Sequence, residues 1–331
     1  MDCPYCQSQQ VVKNGRESLT DGTVLQRYRC KGCSKCFNDR TGTPMARLRT
    51  PSSVVATALN GRSEGLGVRA TGRLFGASHS TILRWEDRLA RQADAWSPPA
   101  PGGREVTLEG DEVYTRVGEN VPPSSSQGWT IHFIERQSRY WVSAMAGHKD
   151  ELLFQRGTQQ AWQWAKHCPF IRWFTDGEHR YAKALWDLAS VYLALRECPS
   201  RYRTRKVWRY GLEVAMKVKG SQGLRRVVWV RPEHPYTAVS PLTEVHANHN
   251  EAHNAALRRR CSAYRRRQNL YAKTRDGLQR TLDVQRILHN WVRPHGGLGK
   301  RTTPAMAIGL CCRLLFTQEL LCLRGFQCIS S

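Results

Sequence analysis

Three acids stand where strand ends and a helix face could bring oxygen ligands together. Asp111 lies late in the strand-like stretch VTLEGDEVY, and Asp176 closes the short apolar run IRWFTD ahead of a turn. Glu251 lies in VHANHNEAHNAALRRR, which has helical spacing. There Glu251, Asn254, Ala255 and Arg258 recur at i, i+3, i+4 and i+7, so one face presents a carboxylate, an amide and a guanidinium. Such a set suits Mg²⁺, which takes hard oxygen donors and keeps waters for a substrate phosphate. Two ions about 4 Å apart can activate an attacking oxygen and stabilise a leaving one. Glu109, Glu112, Glu178 and Glu244 are the nearest competitors for these roles.

A second chemistry lies at the N-terminus. Cys3 and Cys6 form CPYC, and Cys30 and Cys33 form CKGC. Each C-x-x-C can wrap one edge of a tetrahedral Zn²⁺. A segment this short cannot build its own core, so structural Zn²⁺ would supply much of its folding energy. Cys36 is a spare thiol, and a knuckle of Cys33 with Cys36 is the alternative. The remaining cysteines are scattered and read as free thiols.

Residues 67–88, GVRATGRLFGASHSTILRWEDR, read as a helix-turn-helix. Val68, Leu74 and Phe75 would line the inner face of a first helix, and Gly76 would permit the turn. Ser78 or Ser80 would cap a second helix with Ile82, Leu83 and Trp85 inward. His79, Ser80, Thr81 and Arg84 would then face a DNA major groove.

These groups need elements to hold them. The chain has 331 residues and 12 cysteines, five of them within residues 1–45. It predicts a zinc ribbon over residues 1–45, a helix-turn-helix domain over 50–95 and a linker over 96–103. A mixed α/β domain over 104–310 and a tail over 311–331 follow. Strands are expected over 104–117, 129–136, 139–146 and 171–176, and helices over 179–195 and 245–269. That alternation suggests a mixed sheet with flanking helices.

The net charge of +24 calls for a polyanion, and 11 tryptophans exclude a disordered basic tail. Residues 196–231 carry eleven Lys or Arg against two acids, with Tyr202, Trp208, Tyr210 and Trp229 interleaved. Trp208 and Trp229 suit either core packing or base stacking. Residues 258–280 add Arg258, Arg259, Arg260, Arg265, Arg266 and Arg267 as further phosphate contacts. An acid aimed at DNA in so basic a chain would repel phosphate unless metal lay between them. Neither a signal peptide nor a membrane span is visible, so a reducing cytoplasm is the expected location.

The order CPYC…CKGC, helix-turn-helix, then Asp111, Asp176 and Glu251 with E-x-x-N-x-x-x-R resembles the bacterial DDE transposases, those of the insertion sequence one type in particular. YRCKGCSKCFNDRTGTP is similar to the exit from that family's ribbon. RRRCSAYRRRQNLYAKT is similar to its basic helix, and HNWVRPHGGLGKRTTPAMAIGL to its closing segment. The likeness covers roughly residues 1–310. It implies a ribonuclease-H-like domain in which Asp111, Asp176 and Glu251 hold Mg²⁺ (or Mn²⁺), supported by Asn254 and Arg258. It also implies binding of double-stranded DNA at element ends, strand cleavage, strand transfer, and a homodimer or larger assembly on DNA, associated with the nucleoid. The insert between Asp176 and Glu251 is long for the family. The tail CCRLLFTQELLCLRGFQCISS matches none of it, and reads as an added helix or as read-through. A non-catalytic DNA-binding regulator, a nuclease without joining activity and an RNA-binding protein are the rival functions.

Overall fold

The computed structural model describes residues 2–194, 204–216, 218–219, 225–226, 244–265 and 269–329. The chain forms two compact units, Met1–Pro98 with Arg313–Ser331, and Pro99–Cys312. Arg266, Arg267, Trp229 and most of the basic stretch 196–231 lie outside the described residues.

In the first unit β1 (Val11–Ser18) and β2 (Val24–Cys30) make an antiparallel hairpin, and β3 (Cys36–Phe37) pairs with β2. Its apolar centre is small: Cys3, Cys30 and Phe37 are buried, and Tyr28 stacks on Phe37 at 5.7 Å. Three helices follow, α1 (Ser52–Ser63), α2 (Val68–Leu74) and α3 (His79–Ala90). Ser78 caps α3 by accepting from the Thr81 N–H at 3.2 Å. Ile82, Trp85 and Leu89, at i, i+3 and i+7, are its buried stripe. The α2–α3 turn is tight. Gly76 has φ +59°, and a Cβ on Gly72 would lie 2.6 Å from the Ala77 carbonyl oxygen. Thr71 and Gly72 are the buried residues of α2, while Leu74 is 67% exposed. The expected inward Leu74 is thus corrected: it faces out, Val68 and Phe75 are half-buried, and the close contact of this helix is the backbone approach at Gly72. Glu86, buried on α3, pairs with Arg62 of α1 at 2.7 Å.

The second unit is built on a five-stranded mixed sheet. Its strands are β4 (Val106–Tyr114), β5 (Trp129–Glu135), β6 (Trp141–Gly147), β7 (Ile171–Thr175) and β10 (Leu212–Met216), in the order β10-β7-β4-β5-β6. The β4, β5 and β6 strands run antiparallel, and β7 runs parallel to both β4 and β10. Between β6 and β7 lies α4 (Glu151–Ala165), and after β7 comes α5 (Arg180–Ala189). The paired strands β8 (Ser190–Ala194) and β9 (Thr204–Trp208) precede β10. The unit closes with α6 (Asn248–Arg260), α7 (Arg275–Trp291) and the short α8 (Pro304–Ala307).

Helices cover both faces of the sheet. Ile131 of β5 lies against Gly157 of α4, while its neighbour His132 bonds Asn254 of α6. Adjacent strand residues point to opposite faces, so α4 and α6 lie on opposite sides. The edge strand β6 is protected by α7. The Gln279 amide bonds Ala146 N and Ala144 O, and the Asn290 amide bonds Trp141 N and O.

Two expected helices are shorter than the apolar runs suggested. Within the expected helix over 179–195, Arg180–Ala189 form α5 and Ser190–Ala194 form β8, and the helix expected over 245–269 ends at Arg260, where Cys261 is extended. The tail is an added helix, α9 (Thr317–Cys322), in the first unit. Leu315, Leu320 and Leu321 are buried there, and the helix lies against α1. The Thr317 hydroxyl donates to Asn60 Oδ1 at 2.6 Å, and the Gln318 amide donates to Ser52 Oγ at 3.1 Å.

Candidate functional site

Strand register explains why the two aspartates meet. The last parallel pair of β4 and β7 is Gly110 with Thr175, so Asp111 and Asp176 are the next residues on each chain. Carboxylate oxygens of Asp111, Glu112 and Asp176 lie within 4.8 Å of one another. Burial pushes the Asp111 carboxyl up to about 7, with repulsion from Asp176, Glu112 and Glu251 adding to it. Burial, with repulsion from Glu112, pushes Asp176 up to about 6. Such crowding is relieved by protons or by a cation, and an all-oxygen set is the chemistry a hard divalent ion takes.

Glu251 stands differently. It is exposed in the first turn of α6, near enough to raise the Asp111 pKa but outside the 4.8 Å group. One turn on, Asn254 Nδ2 donates to Asp111 Oδ2 at 2.7 Å. Asn254 Oδ1 meets His132 Nε2 at 2.9 Å. Because the Asn amide nitrogen is committed to Asp111, its oxygen accepts, and His132 carries the proton on Nε2. Burial keeps that imidazole neutral, its pKa pushed down to about 4. Glu112 is held by ion pairing with Lys149 and by Tyr181, whose hydroxyl donates at 3.3 Å.

Sequence reasoning missed the group that docks α6. Glu109, fully buried two positions before Asp111, accepts from Arg136 Nε at 2.6 Å and from the His249 backbone N–H at 3.0 Å. Its Oε1 lies 2.7 Å from His249 Nδ1, and the Asn250 N–H approaches at 3.3 Å. Glu109, His246 and His249 also cluster as metal ligands would. The Arg136 guanidinium already sits on that carboxylate and 3.4 Å from His246 Nδ1, so the position is filled by a cation of the chain. The signal was period two: Glu109 and Asp111 share one strand face.

At the N-terminus the four sulfurs of Cys3, Cys6, Cys30 and Cys33 lie within 4.8 Å of one another. Cys3 and Cys33 are 3.6 Å apart, and Cys6 and Cys30 are 3.5 Å apart. A tetrahedral ion with 2.3 Å bonds needs sulfurs about 3.8 Å apart, so the set fits Zn²⁺. The second knuckle is Cys30 with Cys33; Cys36 is exposed and bonded to Asn14.

Among the expected DNA contacts, His79, Ser80 and Arg84 are exposed along one end of α3, and Thr81 is half-buried. Arg259 is exposed, and Arg258, Arg260 and Arg265 are half-buried. Trp208 is a core residue, packed edge-on against Trp186 at 4.6 Å. The Arg209 guanidinium donates to the carbonyls of Lys166 and Cys168 at 2.6 and 2.7 Å.

No protein-family model matches the chain. Among curated proteins it is similar to an uncharacterized protein in the transposable element ISH50 of Halobacterium salinarum. The two are 31% identical over 134 residues, which is 38% of this chain and 42% of that relative. The chain thus spans less than half the length of the relative it matches. No described helix is long and apolar enough to cross a membrane.

Proposed function

We propose that the chain is a DNA transposase of the DDE type, related to that of insertion sequence one, with a ribonuclease-H-like catalytic unit. The observation that carries this reading is the pairing of Asp111 with Asp176 at the ends of adjacent strands, with α6 bonded to Asp111 through Asn254. The sheet order β10-β7-β4-β5-β6, parallel over β10-β7-β4 and antiparallel over β4-β5-β6, with α6 packed against β4, supports it. So does a relative encoded in a transposable element.

In this reading Asp111, Asp176 and Glu251 hold the catalytic Mg²⁺ or Mn²⁺, and Glu112 contributes charge from β4. Divalent ions held there would lower the pKa of an attacking hydroxyl and stabilise the departing oxygen. Water attacks the phosphate at an element end, the P–O3′ bond breaks, and a 3′-hydroxyl is freed. That hydroxyl then attacks a target phosphodiester, displacing another 3′ oxygen. Asn254, backed by His132, fixes the Asp111 carboxylate for both steps. Glu251 stands one turn earlier on the same helix face, exposed and near enough to act on Asp111. The four-cysteine ribbon, loaded with Zn²⁺, and the face His79, Ser80, Thr81 and Arg84 bind the ends. Arg258, Arg259 and Arg260 of α6, with Arg265, Arg266 and Arg267, contact phosphates.

The test is strand transfer with Mg²⁺ and a duplex carrying the terminal inverted repeats that flank the gene. Wild type should yield joined product, and Asp111→Ala, Asp176→Ala and Glu251→Ala should bind the ends without producing it. Binding with no cleavage by wild type would instead establish a regulator. Cleavage of arbitrary DNA without joining would establish a nuclease.

A further inference from the structure

We propose that a cavity at the C-terminal end of β4 receives an unpaired nucleotide of the DNA strand, its base against the Arg116–Tyr271 stack and its phosphates against Arg258 and Arg265. The cavity has a volume of about 470 Å³, within the range of small-molecule sites. Tyr114, Arg116, Arg258, Tyr264, Arg265 and Tyr271 line it, and its described lining holds no carboxylate.

Three arginines among the lining residues give the cavity the positive charge a phosphate needs, Arg265 also donating to the Arg259 carbonyl at 3.2 Å, and the tyrosines supply what a base needs. The Arg116 guanidinium lies 4.0 Å over the Tyr271 ring, which Lys273 also approaches at 3.6 Å. A guanidinium plane held on a ring is itself a surface on which bases stack. Arg116 Nε is buried without a hydrogen-bond acceptor among the described residues, a cost that a ligand oxygen or ring nitrogen would remove. The walls are anchored. Tyr264 is buried and bonded through its hydroxyl to Thr130, and the Thr115 hydroxyl donates to the Ala263 carbonyl.

Placement favours nucleic acid over a free small molecule. Tyr114 is three strand positions beyond Asp111, about 10 Å. Arg258 is one helical turn beyond Asn254, about 6 Å. That separation is about three base steps of one DNA strand, so a strand held at the aspartates is long enough to reach this cavity. The inference rests on the proposed reading that Asp111 and Asp176 face DNA.

Binding is measured by fluorescence anisotropy with no added Mg²⁺ or Mn²⁺ and no chelator, so that no chemistry enters and the ribbon keeps its Zn²⁺. Three versions of one arbitrary 20-base-pair duplex serve as probes: blunt, with a four-thymidine overhang, and with an overhang of four abasic units. Wild type should bind the thymidine overhang about tenfold tighter than blunt, and the abasic overhang close to blunt, since base stacking on aromatic and Arg surfaces carries that much. Arg116→Lys keeps the charge and removes the plane; it should erase the thymidine preference and leave blunt binding within about threefold. Tyr271→Ala should behave alike. Equal affinity for thymidine and abasic overhangs would overturn the proposal, as would an equal loss for all three probes in Arg116→Lys. Either result would leave cleavage and joining by wild type untouched. A thymidine preference kept by a wild type that neither cleaves nor joins would instead separate this site from the proposed chemistry.

Discussion

Asp111 and Asp176 are crowded carboxylates, and each must release its proton before it can hold a cation. The groups facing them are Glu112, Lys149, Glu178, Glu251 and Asn254. Both pKa values are raised, to about 7 and about 6, so below those values the site is largely protonated and a metal must displace hydrogen ions. Mn²⁺ affinity followed by calorimetry should therefore climb from pH 5.5 to pH 8 and then level. A flat profile across that range would show that these acids are not coupled to metal. Asn254 acts through Asp111. Asn254→Ala removes a 2.7 Å donor and leaves His132 without its acceptor, so Mn²⁺ should bind about 10–100-fold more weakly. Asn254→Asp, adding charge instead of an amide, should not restore the native pH profile.

At the scale of elements, the position of α6 depends on Glu109. Its carboxylate takes two backbone N–H groups from the start of that helix and neutralises Arg136. Glu109→Ala leaves a largely buried guanidinium unpaired and should cost about 3–5 kcal/mol of stability in urea unfolding. Removal of Arg136 as well should recover part of that loss, and strict additivity of the two changes would contradict the pairing. In the ribbon, Cys30→Ser should abolish stoichiometric Zn²⁺ in a colorimetric assay, whereas Cys36→Ser should leave it unchanged. Much of this was legible in residue spacing. Paired C-x-x-C segments announce a four-thiol cluster, weak alternation announces β4, and short, mostly apolar stretches announce β5, β6 and β7. The end of α5 was not legible, because YAKALWDLASVYLAL is apolar through both the helix and the strand after it. Leu74 misled for a related reason: its apolar side chain faces out, and glycine makes the helix contact. Glu109 was visible only as a competitor to Asp111, since what it binds lies 140 residues away.

For the molecule as a whole, charge is the governing quantity. Much of the net +24 lies in residues 196–231 and 258–280, which implies many phosphate contacts. If about eight phosphates are neutralised, log K against log salt should slope near −7 for duplex DNA. A slope of −1 to −2 would show that only one cluster touches the duplex.

The helix α9 gives the chain a timetable. Its buried leucines and its bonds to Ser52 and Asn60 belong to the unit that begins at the N-terminus, yet Pro99–Cys312 is made in between. On a ribosome adding about 5–20 residues per second, α1 waits tens of seconds for the partner that covers it. The helices of this unit therefore reach their finished packing only after the five-stranded sheet has been synthesised. The unit that holds α1, α2 and α3 is thus completed only after residues 99–312 have been made.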